Sequence, residues 1–251
     1  IASERCPRFL GTAFKRNTYS WKPRASRGRD TLGRNTDSWK PRASRGRDPL
    51  GKYTYFCTPS FVSHTYQTTM ELFHDRYYHI YNRSNNNEVV FRSHDNYVYF
   101  LRKYHAAFEN SLETIAFCLM PTHFHFLVRV LSEDTESIKH SLGKLQSSFT
   151  QSINRQYRRH GNLFQQHSKS KNIDDEFYLR TLLTYIHQNP VRSKLVTKPE
   201  DWKYSSYCDY IGLRTSLLLK KEMGLKYFST MDEFRRYSEN RIEEIDERYW
   251  A

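Results

Sequence analysis

Two histidines separated by one residue stand in the middle of the chain, within Met120-Pro121-Thr122-His123-Phe124-His125-Phe126-Leu127-Val128. The β-branched and aromatic residues around them predict strands, and side chains at i and i+2 of a strand share a face. His123 and His125 therefore project together, while Phe124 and Phe126 point to the opposite layer. Two adjacent neutral imidazoles form half of a site for a divalent metal, which oxygen ligands and a substrate phosphate can complete.

A second chemically capable segment lies downstream, in Thr184-Tyr185-Ile186-His187-Gln188-Asn189-Pro190-Val191. Tyr185 and Asn189 are four residues apart, so they share a helix face, with Gln188 alongside. If that face covers the histidine strand, a phenol lies beside a two-histidine metal site, and an amide carbonyl is available as a third ligand. Such a group can cleave a phosphodiester, with the tyrosine oxygen attacking phosphorus while the cation stabilises the developing charge.

The elements that must position these residues follow from hydrophobic periodicity. The pattern predicts a strand at 77–81, a helix capped by Ser93 or Asp95, a hairpin holding the histidines, a helix over 135–160, a short strand near 169–173, and a helix capped by Asp174 or Asp175. Gly161 is the expected stop of the long helix, and Pro190 is expected to end the last one near Asn189. This order predicts an α+β, ferredoxin-like or RRM-like sandwich: an antiparallel sheet with helices on one side.

Residues 16–33 recur almost unchanged at 34–51, with differences at Tyr19/Asp37 and Thr31/Pro49. A polar, Arg-rich repeat of this kind buries too little apolar surface to offset its ordering entropy, so residues 1–69 are expected to form a disordered basic tail. One hypothesis is that the tail is translated upstream sequence and that Met70 is the natural start; the other is a genuine nucleic-acid-binding arm. We therefore predict three parts of the chain: a tail over 1–69, a catalytic domain over 70–212 and a helical C-terminal extension over 213–251.

The formal net charge of +13 indicates a polyanionic partner. Much of the excess lies in the tail, but residues 137–171 also contain seven lysines and arginines and no acid, a basic stripe that a nucleic-acid backbone could follow. The four cysteines form no CxxC pair, which argues against a zinc knuckle and a disulfide scaffold. No apolar run approaches membrane-spanning length, so we expect a cytoplasmic, nucleoid-associated protein with no membrane partner.

The two segments together resemble the signature of the REP-associated tyrosine transposases, a group of single-tyrosine HUH transposases that act on single-stranded DNA. Supporting matches are Tyr78-His79-Ile80-Tyr81-Asn82-Arg83, Gly161-Asn162-Leu163-Phe164-Gln165 with Lys169, and Asp201-Trp202-Lys203-Tyr204-Ser205-Ser206-Tyr207. The resemblance covers about residues 75–212, in one order. It implies a ferredoxin-like fold, a Mg²⁺ or Mn²⁺ ion, recognition of a DNA hairpin of the REP kind, and a tyrosine nucleophile that leaves a 5′-phosphotyrosine and a free 3′-hydroxyl.

Carried over by position, the resemblance makes His123 and His125 metal ligands, Tyr185 the nucleophile and Asn189 the third ligand in preference to Gln188. Charge and location, rather than the family pattern, nominate Arg83, Arg155, Arg158, Arg159 and Lys169 as DNA contacts. Whether the protein acts as a monomer or a homodimer, and whether the tyrosine works in cis or in trans, stays open at the level of sequence.

Two other functions compete with the strand transferase. One is a non-catalytic host factor that binds hairpin DNA or RNA through the sheet and the basic helix. The other is a metal-dependent hydrolase in which water is the nucleophile, so that cleavage does not depend on Tyr185.

Overall fold

The computed structural model describes residues 70–240, which fall within one compact unit. Residues 1–69, with the predicted tail and its repeat, lie outside the described residues, as do residues 241–251 of the predicted extension. Within 70–240, no helix is both long and apolar enough to cross a membrane.

A four-stranded antiparallel sheet forms the centre of the domain, with the strand order β2-β3-β1-β4. Its elements alternate along the chain as β1 (Tyr77–Arg83), α1 (His94–Phe108), β2 (Leu112–Met120), β3 (His123–Val130), α2 (Thr135–Tyr157) and β4 (Lys169–Ile173). Two βαβ halves with this order define the ferredoxin-like, RRM-like sandwich, so the predicted α+β fold is confirmed.

The two faces of the sheet have different coverings. Phe124 and Phe126 of β3 are buried against α1, where their rings lie 5.4 Å from Phe100 and 4.0 Å from Tyr104. α2 joins the same layer, because Phe149 packs on Phe100 at 5.1 Å. The expectation of helices on one side thus holds for α1 and α2.

A third long helix, α3 (Glu176–Arg192), lies on the opposite face and covers the histidine side of β3. Nearly every residue from Leu182 to Pro190 is buried, because α3 is enclosed by the sheet on one side and by the C-terminal segment on the other. This explains why its sequence shows apolar residues around most of its circumference rather than along one stripe.

Two predicted helix ends are wrong. α2 ends at Tyr157, three residues before the predicted end at residue 160, because Arg158 adopts the left-handed conformation with φ of 50°. Gly161, the expected stop, lies beyond this end. α3 continues through Pro190 to Arg192, because a proline in the last turn removes only one helical hydrogen bond. The backbone closes this end with bonds from Ser193 N to Asn189 O and from Leu195 N to Pro190 O, each 2.9 Å.

The chain after α3 covers the outer edge of β2. Backbone hydrogen bonds of 2.8–2.9 Å join Leu119 to Tyr204, Ser206 to Phe117 and Lys220 to Thr114. Up to residue 240, α3 is followed by the short α-helices α4 (Tyr207–Tyr210), α5 (Lys221–Leu225) and α6 (Met231–Glu239). Pairing the edge protects β2 from association with other strands, and it brings α6 against α3.

Candidate active site

The strand register places the two histidines in the middle of a polar surface. His123 lies opposite Arg83 of β1 and His125 lies opposite Tyr81, and directly opposed residues of an antiparallel pair share a face. The rings of His123 and His125 are 5.0 Å apart and nearly perpendicular. The predicted projection of both imidazoles from one face is therefore what the structure shows.

Each imidazole uses its Nδ1 atom within the protein. Nδ1 of His123 lies 3.0 Å from Oγ1 of Thr122, and Nδ1 of His125 lies 2.9 Å from Nε2 of His79 on β1. These contacts leave the Nε2 atoms of both ligand candidates for a cation. Anchoring one ring nitrogen while the other binds metal is the usual arrangement of metal-ligating histidines.

Burial keeps both imidazoles neutral. It lowers the pKa of His123 to about 4, and the nearby Arg83 guanidinium acts in the same direction. Burial also holds the pKa of His125 well below its usual range, helped by the neighbouring His79 and His123. Because a neutral imidazole has a free lone pair, the donor set fits a divalent cation at physiological pH.

Tyr185 of α3 faces this pair from above the sheet. Its ring centroid is 6.1 Å from that of His125, with the planes nearly perpendicular, and the side chain is 7% exposed. Burial raises the pKa of the Tyr185 phenol, while the Arg192 guanidinium and a hydrogen bond from the Asn189 side chain act against that increase. The Arg192 guanidinium lies 5.5 Å over the centre of the Tyr185 ring. The histidines and the tyrosine thus meet within one chain.

The two amide candidates for a third ligand face different ways. Asn189 is buried one turn after Tyr185, and its Nδ2 donates to the Tyr185 carbonyl at 3.1 Å. Gln188 faces α6 instead, where its Nε2 donates to the carbonyls of Tyr237 at 2.8 Å and Asn240 at 2.6 Å. Geometry therefore favours Asn189 and gives Gln188 a structural role.

Oxygen donors matter at this site because charged ligands are few. Within residues 70–240, no group of three or more histidine, cysteine, aspartate or glutamate side chains could hold a metal ion. If the side-chain oxygen of Asn189 joins the two histidines as a ligand, the remaining positions are open to water or phosphate oxygens. Such a set would suit Mg²⁺ or Mn²⁺ better than a closed zinc site.

The five basic residues nominated for DNA contacts divide into three groups. Arg83 and Lys169 are exposed on the histidine face, where they lie opposite His123 and Tyr81, respectively. Arg155 and Arg158 are exposed at the end of α2, in the layer on the other side of the sheet. Arg159 is instead paired with Glu88 through two hydrogen bonds of 2.8 Å, and its side chain is 14% exposed. The single basic stripe predicted over 137–171 is thus divided between two sides of the sheet.

Sequence reasoning gave no role to His79, which contacts His125, or to Arg192, which lies over the Tyr185 ring. A signal for His79 existed, because Tyr77, His79, Tyr81 and Arg83 alternate along β1 and so share a face. Arg192 follows Pro190, beyond the predicted end of the helix, so its position over the Tyr185 ring could not be expected.

The comparisons with known proteins agree with this geometry. Residues 72–189, which include both histidines, Tyr185 and Asn189, match the family model described as "Transposase IS200 like". Residues 72–189 are therefore similar to the IS200-like transposases. The resemblance found in the sequence is thereby confirmed.

One curated relative of the chain carries a narrower name. The chain is 32% identical, over 104 residues, to a Haemophilus influenzae protein assigned to the REP-associated tyrosine transposases. That match covers 38% of this chain and 58% of the relative, so the chain spans little more than half of the relative's length. A solved structure of a REP-associated tyrosine transposase bound to a REP hairpin is similar at a TM-score of 0.48 and 16% identity, over 57% of this chain and 83% of that one.

Proposed function

We propose that this protein is a tyrosine transposase that cleaves and rejoins single-stranded DNA beside a hairpin. The observation that carries the proposal is the meeting of the Tyr185 ring with His125, at 6.1 Å, over a surface where both histidine Nε2 atoms are available for a cation. The family of the domain supports the reaction class, and the name of the Haemophilus influenzae relative supports a REP-like hairpin as the partner.

In this reaction Oη of Tyr185 attacks the scissile phosphorus. The phenolic proton leaves as the Oη–P bond forms, the bond from phosphorus to the 3′ oxygen breaks, and that oxygen takes up a proton to become a hydroxyl. The product is a 5′-phosphotyrosine, which retains the energy of the phosphodiester, so rejoining needs no ATP. Attack of the new strand's 3′-hydroxyl on the same phosphorus reverses the step and releases Tyr185.

The chain supplies both the geometry and part of the electrostatics. His123, His125 and Asn189 would hold a Mg²⁺ or Mn²⁺ ion, which supplies Lewis-acid stabilisation of the phosphate charge when bound. α3 restricts Tyr185 to one side of the site, and Arg192 places a positive charge over its ring. Arg83 and Lys169 are exposed on the same face and can contact the phosphates that flank the scissile one.

A second tyrosine must be excluded as the nucleophile. The Tyr81 ring also lies 6.1 Å from His125, but it is parallel to the imidazole and stacks on His79 at 4.6 Å. Tyr185 differs in that the amide of Asn189 and the guanidinium of Arg192 adjoin it.

The decisive experiment compares two single-oxygen deletions. Purified protein is incubated with Mn²⁺ and a labelled single-stranded hairpin DNA, and covalent adducts are separated on a denaturing gel. We expect an adduct with the unmodified protein and with Tyr81→Phe, and none with Tyr185→Phe. An adduct lost on Tyr81→Phe but kept on Tyr185→Phe would reassign the nucleophile.

Two other outcomes separate the competing functions. Cleavage without an adduct, unchanged by Tyr185→Phe, indicates a hydrolase that uses water. Hairpin binding with neither cleavage nor adduct at any Mn²⁺ concentration indicates a non-catalytic binding protein.

A further inference from the structure

His79 is a buried polar residue at the centre of the sheet that the proposed reaction does not use. It lies on β1, is 3% exposed, and contacts the 6% exposed His125 through the 2.9 Å pair of Nε2 and Nδ1. The two rings are stacked with centroids 5.1 Å apart. Tyr81 packs on the His79 ring at 4.6 Å, so the ring is held from more than one direction.

The direction of this hydrogen bond decides which lone pair His125 offers. A neutral imidazole carries one proton, either on Nδ1 or on Nε2. If Nδ1 of His125 donates to His79, the Nε2 lone pair of His125 is free. If His79 donates instead, the proton of His125 resides on Nε2 and blocks a cation there.

We propose that His79 is a positioning residue that accepts the Nδ1–H of His125 and thereby presents the Nε2 lone pair of His125 to the divalent cation. This inference rests on the proposed function, because it concerns the metal site of that reaction. His79 acts only through His125 and does not itself bind the cation.

The other ligand candidate shows the same arrangement. Nδ1 of His123 lies 3.0 Å from the hydroxyl oxygen of Thr122, a group that can accept its proton. Both histidines therefore have their Nδ1 atoms engaged by a neighbouring polar group, as expected where both Nε2 atoms face one ion. His125 is the more deeply buried of the two and has a ring nitrogen, rather than a hydroxyl, as its partner.

Stability alone does not account for a histidine at position 79. Among the described residues, nothing forms a hydrogen bond with Nδ1 of His79, which is buried. An unsatisfied buried polar atom costs about 1–3 kcal/mol, whereas an apolar side chain of similar shape costs nothing of this kind. What an apolar residue at this position could not provide is the contact with Nδ1 of His125, a ligand candidate.

The chain offers a matched control in His187. This histidine is 0% exposed, its Nε2 pairs with Oγ of Ser206 at 2.8 Å, and its buried Nδ1 has no hydrogen-bond partner in the described part of the chain. It lies on the side of α3 that faces Tyr210 and Phe234, with ring distances of 5.0 and 5.7 Å. His187→Phe therefore measures the general effect of replacing a buried histidine.

The test measures Mn²⁺ affinity without DNA by titration calorimetry, with thermal unfolding of each variant as a check on folding. We expect His79→Phe to weaken binding by about 10- to 100-fold, the usual effect of losing an outer-shell partner, and His187→Phe to change it by less than about threefold. His79→Gln, whose amide oxygen can accept the same hydrogen bond, should recover part of the affinity. Equal affinity in His79→Phe and the unmodified protein would overturn the proposal.

A second measurement covers the case in which His79→Phe does not fold. In the unmodified protein with saturating Mg²⁺, ¹⁵N NMR of the imidazoles should locate the His125 proton on Nδ1. A proton on Nε2 of His79, directed at His125, would overturn the proposal. If the unmodified protein binds no divalent cation, both the metal site of the proposed function and the role of His79 are disproved. If it binds a cation and the His79 substitutions do not change the affinity, only the role of His79 is disproved.

Discussion

At the scale of single residues, the site depends on keeping two imidazoles neutral in a protein of strongly positive charge. Burial does this for His123 and His125, whose pKa values lie below the ordinary value of 6.5. The neighbouring cation Arg83 adds to the effect at His123. Burial likewise raises the pKa of the Tyr185 phenol, so the proposed nucleophile is protonated at neutral pH.

Metal binding should therefore persist in mild acid. A lowered pKa means that His123 stays neutral until the pH falls towards about 4, so protons do not compete with the cation above that range. We expect Mn²⁺ affinity, measured by titration calorimetry, to change by less than about threefold between pH 7.5 and 5.5. Two histidines with ordinary pKa values would lose about 100-fold over the same range, and a loss of that size would contradict the burial argument.

Spacing predicted the candidate residues that the structure brings together, but not the neighbours that they contact. The period of two in a strand related His123 to His125, and the period of four in a helix related Tyr185 to Asn189, because both periods are local. The contacts of His79 with His125 and of Arg159 with Glu88 join distant segments, and a single sequence contains no local signal for such pairs.

At the scale of elements, α3 is the part that carries the site and the part that most needs support. One face presents Tyr185 to the sheet, and the other is held by the C-terminal segment, where Gln188 donates to two carbonyls at the end of α6. Of two adjacent amide residues, Gln188 thus holds α3 against α6, and Asn189 is the candidate metal ligand.

Substitution of Gln188 should lower folding stability, whereas substitution of Asn189 should lower Mn²⁺ affinity. Gln188→Ala removes both bonds to α6, so we expect a loss of about 1–3 kcal/mol in the free energy of unfolding, with unchanged Mn²⁺ affinity. Asn189→Ala should weaken Mn²⁺ binding by about tenfold or more, since a ligand should matter at least as much as an outer-shell group. Chemical denaturation and titration calorimetry of both variants provide the check. A loss of Mn²⁺ affinity in Gln188→Ala, with none in Asn189→Ala, would exchange their roles.

The order of elements could be read from the sequence, whereas helix ends could not. Alternation and 3.6-residue periodicity give strand, helix, two strands, helix, strand and helix, as the structure has them. Arg158, rather than Gly161, is the left-handed residue that ends the helix. The N–H groups of Arg158 and Arg159 both donate to the carbonyl oxygen of Asn154. A helix end decided by such local hydrogen bonds can differ by a few residues from the end that residue preference predicts.

At the scale of the whole molecule, charge is distributed on both sides of the sheet rather than along one stripe. Arg83 and Lys169 share the face of the site, Arg155 and Arg158 occupy the end of α2, and Arg159 is committed to Glu88. Proximity to the histidine pair therefore ranks Arg83 and Lys169 first among the proposed DNA contacts.

The salt dependence of hairpin binding tests this ranking. Neutralising one phosphate contact lowers the slope of log K against log salt by about 1, so Arg83→Gln and Lys169→Gln should each have that effect on a labelled hairpin in fluorescence anisotropy. Arg159→Gln should leave the slope unchanged and reduce stability, because it leaves Glu88 without its bidentate partner. A reduced slope in Arg159→Gln alone would show that DNA binds on another surface.

The central claim is that the oxygen of Tyr185 becomes joined to DNA at a site formed with His123 and His125. The most direct measurement is mass spectrometry of peptides from the protein after reaction with a single-stranded hairpin DNA and Mn²⁺, followed by nuclease trimming of the bound strand. The account predicts a nucleotide on the peptide that contains Tyr185, absent in His123→Ala and His125→Ala, and a released strand with a free 3′-hydroxyl. A nucleotide on the peptide that contains Tyr81, or cleaved DNA with a free 5′-phosphate and no modified peptide, would contradict it.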